Sequence, residues 1–240
     1  MPTIPAAATI PPESAATPLP QAVLWDMDGT LVDTEPYWIG SEIALAEEHG
    51  GSWSHEQALR LVGHSITTSA RILRDEAGVQ GTDDEIATTL VGRVADRVRT
   101  DGPPWRPGAR ELLDALREAG VPCALVTMSY TELAAAVLDT LPAGTFAAVV
   151  TGDEVVQGKP HPEPYLTAAA RLGVDITACV AIEDSPPGVA SAEAAGAATI
   201  AVPLMIDIPA APGRSLLRTL EGVTLDDLAT IAAGTPLQRG

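Results

Sequence analysis

Short aliphatic runs alternate with stretches whose apolar residues recur every three or four positions, the pattern of strands alternating with helices in a parallel sheet. The runs Ala22–Trp25, Pro122–Thr127, Ala147–Thr151, Cys179–Ile182 and Ala198–Val202 read as buried strands. Between them Leu112, Leu113, Leu116 and Ala119 share one helical face, and Leu166, Ala169 and Ala170 begin another. Gly120 and Gly173 fall where such helices should end. From Pro36 to about Thr100 the alternation stops and helical spacing continues with no strand. Ile39, Ile43 and Ala46 share one face there, as do Ile86, Leu90, Val94 and Val98. Pro36 suits a first helical turn, and Pro103, Pro104 and Pro107 mark the return to the sheet. The expected architecture is α/β. A Rossmann-like parallel five-stranded sheet forms the core, from residues 21–34 and 104–240, and residues 35–103 form an inserted all-helical cap. Residues 1–20, rich in Pro and Ala without a basic or apolar leader pattern, read as a disordered tail.

Composition narrows the partners. Of the 240 residues 46% are hydrophobic and 19% charged, enough apolar material for a proper core. The formal net charge of −18 argues against nucleic acid, whose phosphates draw on Lys and Arg. No run approaches the length of a membrane span, so no membrane is expected and the cytoplasm is the default location. Cys123 and Cys179 lie in separate expected strands, outside any CxxC pattern, and do not make a disulfide framework.

The sharpest chemical signal is Asp26-Met27-Asp28-Gly29-Thr30-Leu31-Val32-Asp33, directly after the first strand. Residues two apart in extended backbone point the same way, so Asp26 and Asp28 present two carboxylates side by side. Such a pair can divide labour between nucleophile and proton carrier. A calcium loop starting at Asp26 would need Gly and Glu where Leu31 and Tyr37 stand, and that reading fails. An acidic turn with no chemistry is the remaining bland alternative.

Ile182-Glu183-Asp184-Ser185 also ends a strand, and the crevice of an open α/β sheet lies at the carboxyl ends of its strands. Glu183 and Asp184 would then approach Asp26 and Asp28. Four carboxylates in one crevice call for a cation, and oxygen-only ligands suit Mg²⁺. Taken alone, Glu-Asp-Ser serves as well as an ordinary helix cap. Lys159, in Gly158-Lys159-Pro160-His161-Pro162, is the chain's only lysine against thirteen arginines. A compact ammonium there could hold a carboxylate ionised and meet an incoming phosphate; a leftover surface lysine is the plainer reading. Val126-Thr127-Met128-Ser129 offers a hydroxyl and main-chain N–H groups at a strand-to-helix junction, fit for phosphate oxygens or simply for capping.

In this order the motifs resemble those of the haloacid dehalogenase (HAD) superfamily, over most of residues 22–202. The DxDGTLxDT and EDSxxG patterns, with GKPxPxxY at Gly158–Tyr165, resemble the branch of β-phosphoglucomutases and sugar-phosphate phosphatases, which carries a helical cap. The resemblance implies that Asp26 attacks phosphorus and Asp28 protonates the leaving alcohol and later activates water. It implies Mg²⁺ held by Asp26, the main-chain carbonyl of Asp28 and Asp184, with Glu183 as a further ligand or as an acceptor just behind the ligands. Thr127, Met128 and Lys159 would bind the phosphoryl group. Dehalogenases lack the second Asp, whereas Asp28 is present. β-Phosphoglucomutases carry a His where Trp38 stands and a cap Arg where Ile66 stands, so hydrolysis of a small phosphorylated metabolite is favoured over phosphosugar isomerisation. A non-catalytic metabolite-binding protein is the reading from a different class. Trp38, His64, Ser65, Ser69 and Ser129 are the residues expected to face the leaving group, and the chain is expected to act as a monomer or weak homodimer.

Overall fold

A computed structural model describes residues 17–62 and 64–239. The Pro/Ala-rich tail lies outside them except for its last four residues, of which Pro20 is buried. Four strands sit within the runs picked out by hydropathy: β1 (Ala22–Trp25), β2 (Cys123–Val126), β3 (Ala148–Val150) and β5 (Ala198–Ala201). β4 (Cys179–Glu183) carries the ladder one residue further than its apolar run.

Among the described residues the sheet has seven parallel strands rather than five, in the order β3-β2-β1-β4-β5-β6-β7. The additional pair, β6 (Arg214–Leu217) and β7 (Gln238–Arg239), gave no aliphatic run. β6 alternates half-buried and buried positions behind a Pro-rich loop, and β7 is two exposed polar residues.

β1 supplies Val23 and Trp25 to one apolar layer and Ala22 and Leu24 to the other, as pleating requires. The helices α5 (Ala109–Glu118), α6 (Thr131–Leu138) and α9 (Leu225–Ala232) fill the first layer with residues such as Leu113, Leu133 and Leu228. On the other face, α7 (Glu163–Leu172) and α8 (Pro186–Ala195) contribute Tyr165, Ala168 and Ala192.

Between β1 and α5 the chain forms α1 (Glu35–Glu48), α2 (His55–Leu59), α3 (Ile66–Ala77) and α4 (Asp83–Asp101). They share an apolar cluster of their own, around Ile39, Leu45, Trp53, Leu73 and Leu90. α4 is opened by a reciprocal Thr82–Glu85 capping box and ends at Gly102. Its first half packs in the helical cluster through Ile86, Ala87 and Leu90, its second in the sheet layer through Val91, Val94 and Val98. One continuous helix therefore ties the two bodies together.

The register fixes the site. Trp25 pairs with both Leu125 and Ile182, and Val126 with Val150, so β1, β2 and β4 end at one level. β1 continues into the chain that leads to β2 on one side, and β4 arrives on the other, making their shared end a topological switch point.

Candidate active site

Asp26 is the first residue past β1, and its N–H still donates to the Ile182 carbonyl at 3.0 Å. This last rung of the ladder anchors its main chain. Asp26 is only 6% exposed, yet among the described residues its Oδ2 has no hydrogen-bond partner. A buried carboxylate oxygen left bare is costly unless a ligand takes it. The other oxygen, Oδ1, accepts from Lys159 Nζ at 2.7 Å. Lys159 is itself buried and also donates to the Val126 carbonyl at 2.8 Å and pairs with Glu183 Oε1 at 2.5 Å. Three donors meet three acceptors. The loop carrying this lysine is pinned by Glu163, whose carboxylate accepts from Val156 N and Gln157 N, and by Ser191 Oγ donating to the His161 carbonyl.

Asp28 faces the same crevice and is held by three hydroxyls. Thr34 Oγ1 donates to Oδ1 at 2.5 Å, while Ser129 and Thr127 donate to Oδ2 at 2.7 and 3.3 Å. Burial pushes the Asp28 carboxyl above its ordinary range; the Thr34 bond opposes this and the charge of Asp26 adds to it. A carboxyl so placed is suited to carry a proton.

Glu183 and Asp184 complete the cluster. Asp26, Glu183 and Asp184 each offer an oxygen within 4.8 Å of the others. Burial first, then the charge of Asp26, drives both the Glu183 and the Asp184 carboxyl upward, with Lys159 partly offsetting the rise. Two glycines make the approach feasible. A Cβ on Gly29, which has φ of 90°, would lie 2.1 Å from Asp184 Oδ2, and one on Gly188 would lie 1.9 Å from Glu183 Oε2. Oxygen-only donors, an unpartnered Asp26 Oδ2 and more negative than positive charge fit a small hard divalent cation.

The structure thus brings Asp26, Asp28, Thr127, Ser129, Lys159, Glu183 and Asp184 together. Met128 lies beside them, its sulfur accepting from Lys159 N at 3.3 Å. The residues from the helical insert are placed differently. Trp38 is half-buried where the sheet layer meets the helical cluster. His64 is exposed, Ser65 Oγ caps α3 by accepting from Thr68 N, and Ser69 is buried in α3. No hydrogen bond joins these four to the acids among the described residues. Two contacts escaped the sequence reading: Thr34 on Asp28, and Tyr165, whose hydroxyl donates to Glu183 Oε1 at 2.6 Å. Thr34 closes the DxDGTLxDT motif and Tyr165 the GKPxPxxY motif, so only their partners were invisible in the sequence.

A family model for haloacid dehalogenase-like hydrolases matches residues 20–196. The chain is a haloacid dehalogenase-like hydrolase. It is similar to hexitol phosphatase A of Escherichia coli, 36% identical over 206 residues, which span 84% of this chain and 92% of that protein. Hexitol phosphatase B of the same organism is 31% identical over 185 residues, 76% of this chain and 83% of that one. Among solved structures, CbbY from Rhodobacter sphaeroides in complex with phosphate superposes with a TM-score of 0.73 at 26% identity, covering 85% of this chain and 96% of that one. Family and relatives together make this hydrolase an enzyme of the phosphatase kind. Among its described residues no helix is long and apolar enough to cross a membrane.

In this HAD-like hydrolase the acids continue from the crevice into the helical insert. Burial, then the charges of Asp28 and Asp33, pushes Glu35 up to about 7. Glu42, two turns along α1 and 4% exposed, is pushed up to about 8 by burial and then by Glu35, with Trp53 beside it opposing the rise. Both carboxyls titrate higher in the folded chain than in the unfolded one, where 4.5 is usual. The stability they contribute is complete below that value and is lost as pH rises through about 7 and then about 8. The metal-free melting temperature is expected to fall across that window, and Glu42→Gln to flatten the fall. Parallel thermal melts in chelator check this; identical slopes for variant and wild type would rule Glu42 out as a contributor.

Proposed function

We propose that the enzyme hydrolyses a small phosphomonoester, a sugar phosphate or related metabolite, through a phosphorylated Asp26 and with Mg²⁺ as cofactor. The observation that carries this reading is the pair of carboxyls with separate environments: buried Asp26 against an ammonium with one bare oxygen, half-buried Asp28 against three hydroxyls. The first arrangement keeps a nucleophile charged, and the second stores a proton. Asp26 attacks phosphorus, forming an O–P bond as the ester O–P bond breaks, while Asp28 gives its proton to the departing alkoxide. Asp28 then takes a proton from water, whose oxygen displaces Asp26 from phosphorus and releases inorganic phosphate. Lys159, the Thr127 hydroxyl and the main chain at Met128 bind the phosphoryl oxygens, and Ser129 steadies Asp28 or meets the leaving group. Asp26, Glu183, Asp184 and the Asp28 carbonyl would hold Mg²⁺, which would supply the positive charge that phosphoryl transfer demands. The similarity to hexitol phosphatases and to a protein crystallised with phosphate supports the same reading. Trp38, His64, Ser65 and Ser69, on the insert, are the residues through which substrate choice would be read.

Purified protein with Mg²⁺ is expected to release inorganic phosphate from at least one member of a panel of sugar phosphates and a generic aryl phosphate. Phosphorus NMR with a hexose 1-phosphate separates the alternatives. Free phosphate supports the hydrolase, a phosphate moved to another carbon the mutase. Tight Mg²⁺-dependent metabolite binding without turnover across the panel would instead support a binding protein.

A further inference from the structure

The phenol of Tyr165 lies under the catalytic cluster, on α7, fully buried. Its hydroxyl donates to Glu183 Oε1 at 2.6 Å, and its ring sits 5.2 Å from Lys159 Nζ. The same Oε1 pairs with Lys159 Nζ at 2.5 Å. One carboxylate oxygen therefore takes two donors, and its lone pairs are committed. Among the described residues the other oxygen, Oε2, accepts only from the Ser185 hydroxyl at 3.3 Å, and both oxygens sit beside Gly188, where a Cβ would lie 1.9 Å from Oε2 and 2.1 Å from Oε1. A cation drawn to Glu183 would have to displace an ammonium or a phenol to reach Oε1, whereas at Oε2 it competes only with one long hydrogen bond from Ser185. A phenylalanine would fill the same volume and keep its face under Lys159, but it would leave Oε1 half-committed and the carboxylate free to turn.

From this geometry we infer that Tyr165 is a positioning residue for the metal centre: its hydroxyl locks the Glu183 carboxylate with one oxygen turned to Lys159 and the other presented to the cation. Partners of this kind, one bond removed from a metal, carry about 10–100-fold in metal affinity. The inference rests on the Mg²⁺-dependent phosphatase reading above, and the test separates the two.

Metal-free wild type and Tyr165→Phe are titrated with Mg²⁺ by calorimetry, and phosphate release is then measured as a function of Mg²⁺. The expected result is a Mg²⁺ dissociation constant raised by about 10–100-fold in the variant. Turnover should recover at saturating Mg²⁺, the KM for the phosphomonoester should hold, and metal-free melting should change little. Equal Mg²⁺ affinities overturn the inference and leave the phosphatase reading standing. A wild type that binds no Mg²⁺ overturns both. Should the variant fail to fold, the near-ultraviolet tyrosine absorption of the wild type during the same titration decides the matter. A Mg²⁺-dependent shift supports the lock, and its absence overturns it.

Discussion

Asp26→Asn is expected to lower turnover by about 10⁴–10⁶-fold, the cost of removing a nucleophile from a site whose other groups remain. An amide of the same shape sits in the same place, so the main-chain rung from Asp26 N to the Ile182 carbonyl survives and the fold should hold. What changes is chemistry. The amide oxygen is a poor nucleophile, and Lys159, which now meets Asp26 Oδ1 at 2.7 Å, loses a charged partner while keeping Glu183. Phosphate release at saturating Mg²⁺ measures the loss. Acid-quenched wild type should also yield a phosphorylated peptide containing Asp26, absent from the variant. Wild-type turnover in Asp26→Asn would remove the assigned nucleophile, and with it the covalent route.

Part of this site could be read from local rules. Asp26 and Asp28 lie two apart at a strand end, a spacing that fixes their common side whatever the rest of the chain does. The meeting of Asp26 with Glu183 and Asp184 followed from a rule about parallel sheets, that functional groups gather where strands end, and the equal ending of β1 and β4 realises it. Lys159 stood out because the chain elsewhere uses arginine. The remainder depended on through-space partners that spacing does not encode. Tyr165 reaches Glu183 from another helix, and no periodicity says which buried tyrosine will find which acid. Ser65 looked like a group for substrate, yet its hydroxyl is engaged by Thr68 N at the start of α3, a local role that competes with any other. β6 and β7 were invisible for a different reason. β7 is an edge of two exposed polar residues, and β6 beside it mixes Arg and Ser with two leucines, so both are held by the ladder beside them and not by an apolar run of their own.

Lys159 is where stability and catalysis should separate most clearly. Burial works against its charge, but the charges of Asp26 and Glu183 outweigh that and hold its pKa above the ordinary 10.5. A lysine raised in this way contributes stability that is fully present at neutral pH and lost only in strong alkali, as pH rises through the folded value. Lys159→Met removes the one ammonium from a pocket of acids and leaves Asp26, Glu183 and Asp184 within 4.8 Å of one another. Breaking a buried pair on one side costs about 3–5 kcal/mol, so metal-free Lys159→Met should melt well below wild type. On the proposed mechanism Mg²⁺ would bring positive charge to the same oxygens, and ligand at a hundred times its dissociation constant stabilises by about 2.7 kcal/mol. The melting gap between variant and wild type is therefore expected to narrow as Mg²⁺ is added. Activity should not follow. With the fold restored, turnover is expected to remain about 10²–10³-fold down, because the proposed mechanism makes Lys159 the donor to the transferring phosphoryl. Lys159→Arg keeps the charge but forces a planar fork into a site 4% exposed, so it should recover little of the rate. A Lys159→Met enzyme with wild-type turnover, or a melting gap indifferent to Mg²⁺, would show that the ammonium and the metal do not serve the same acids.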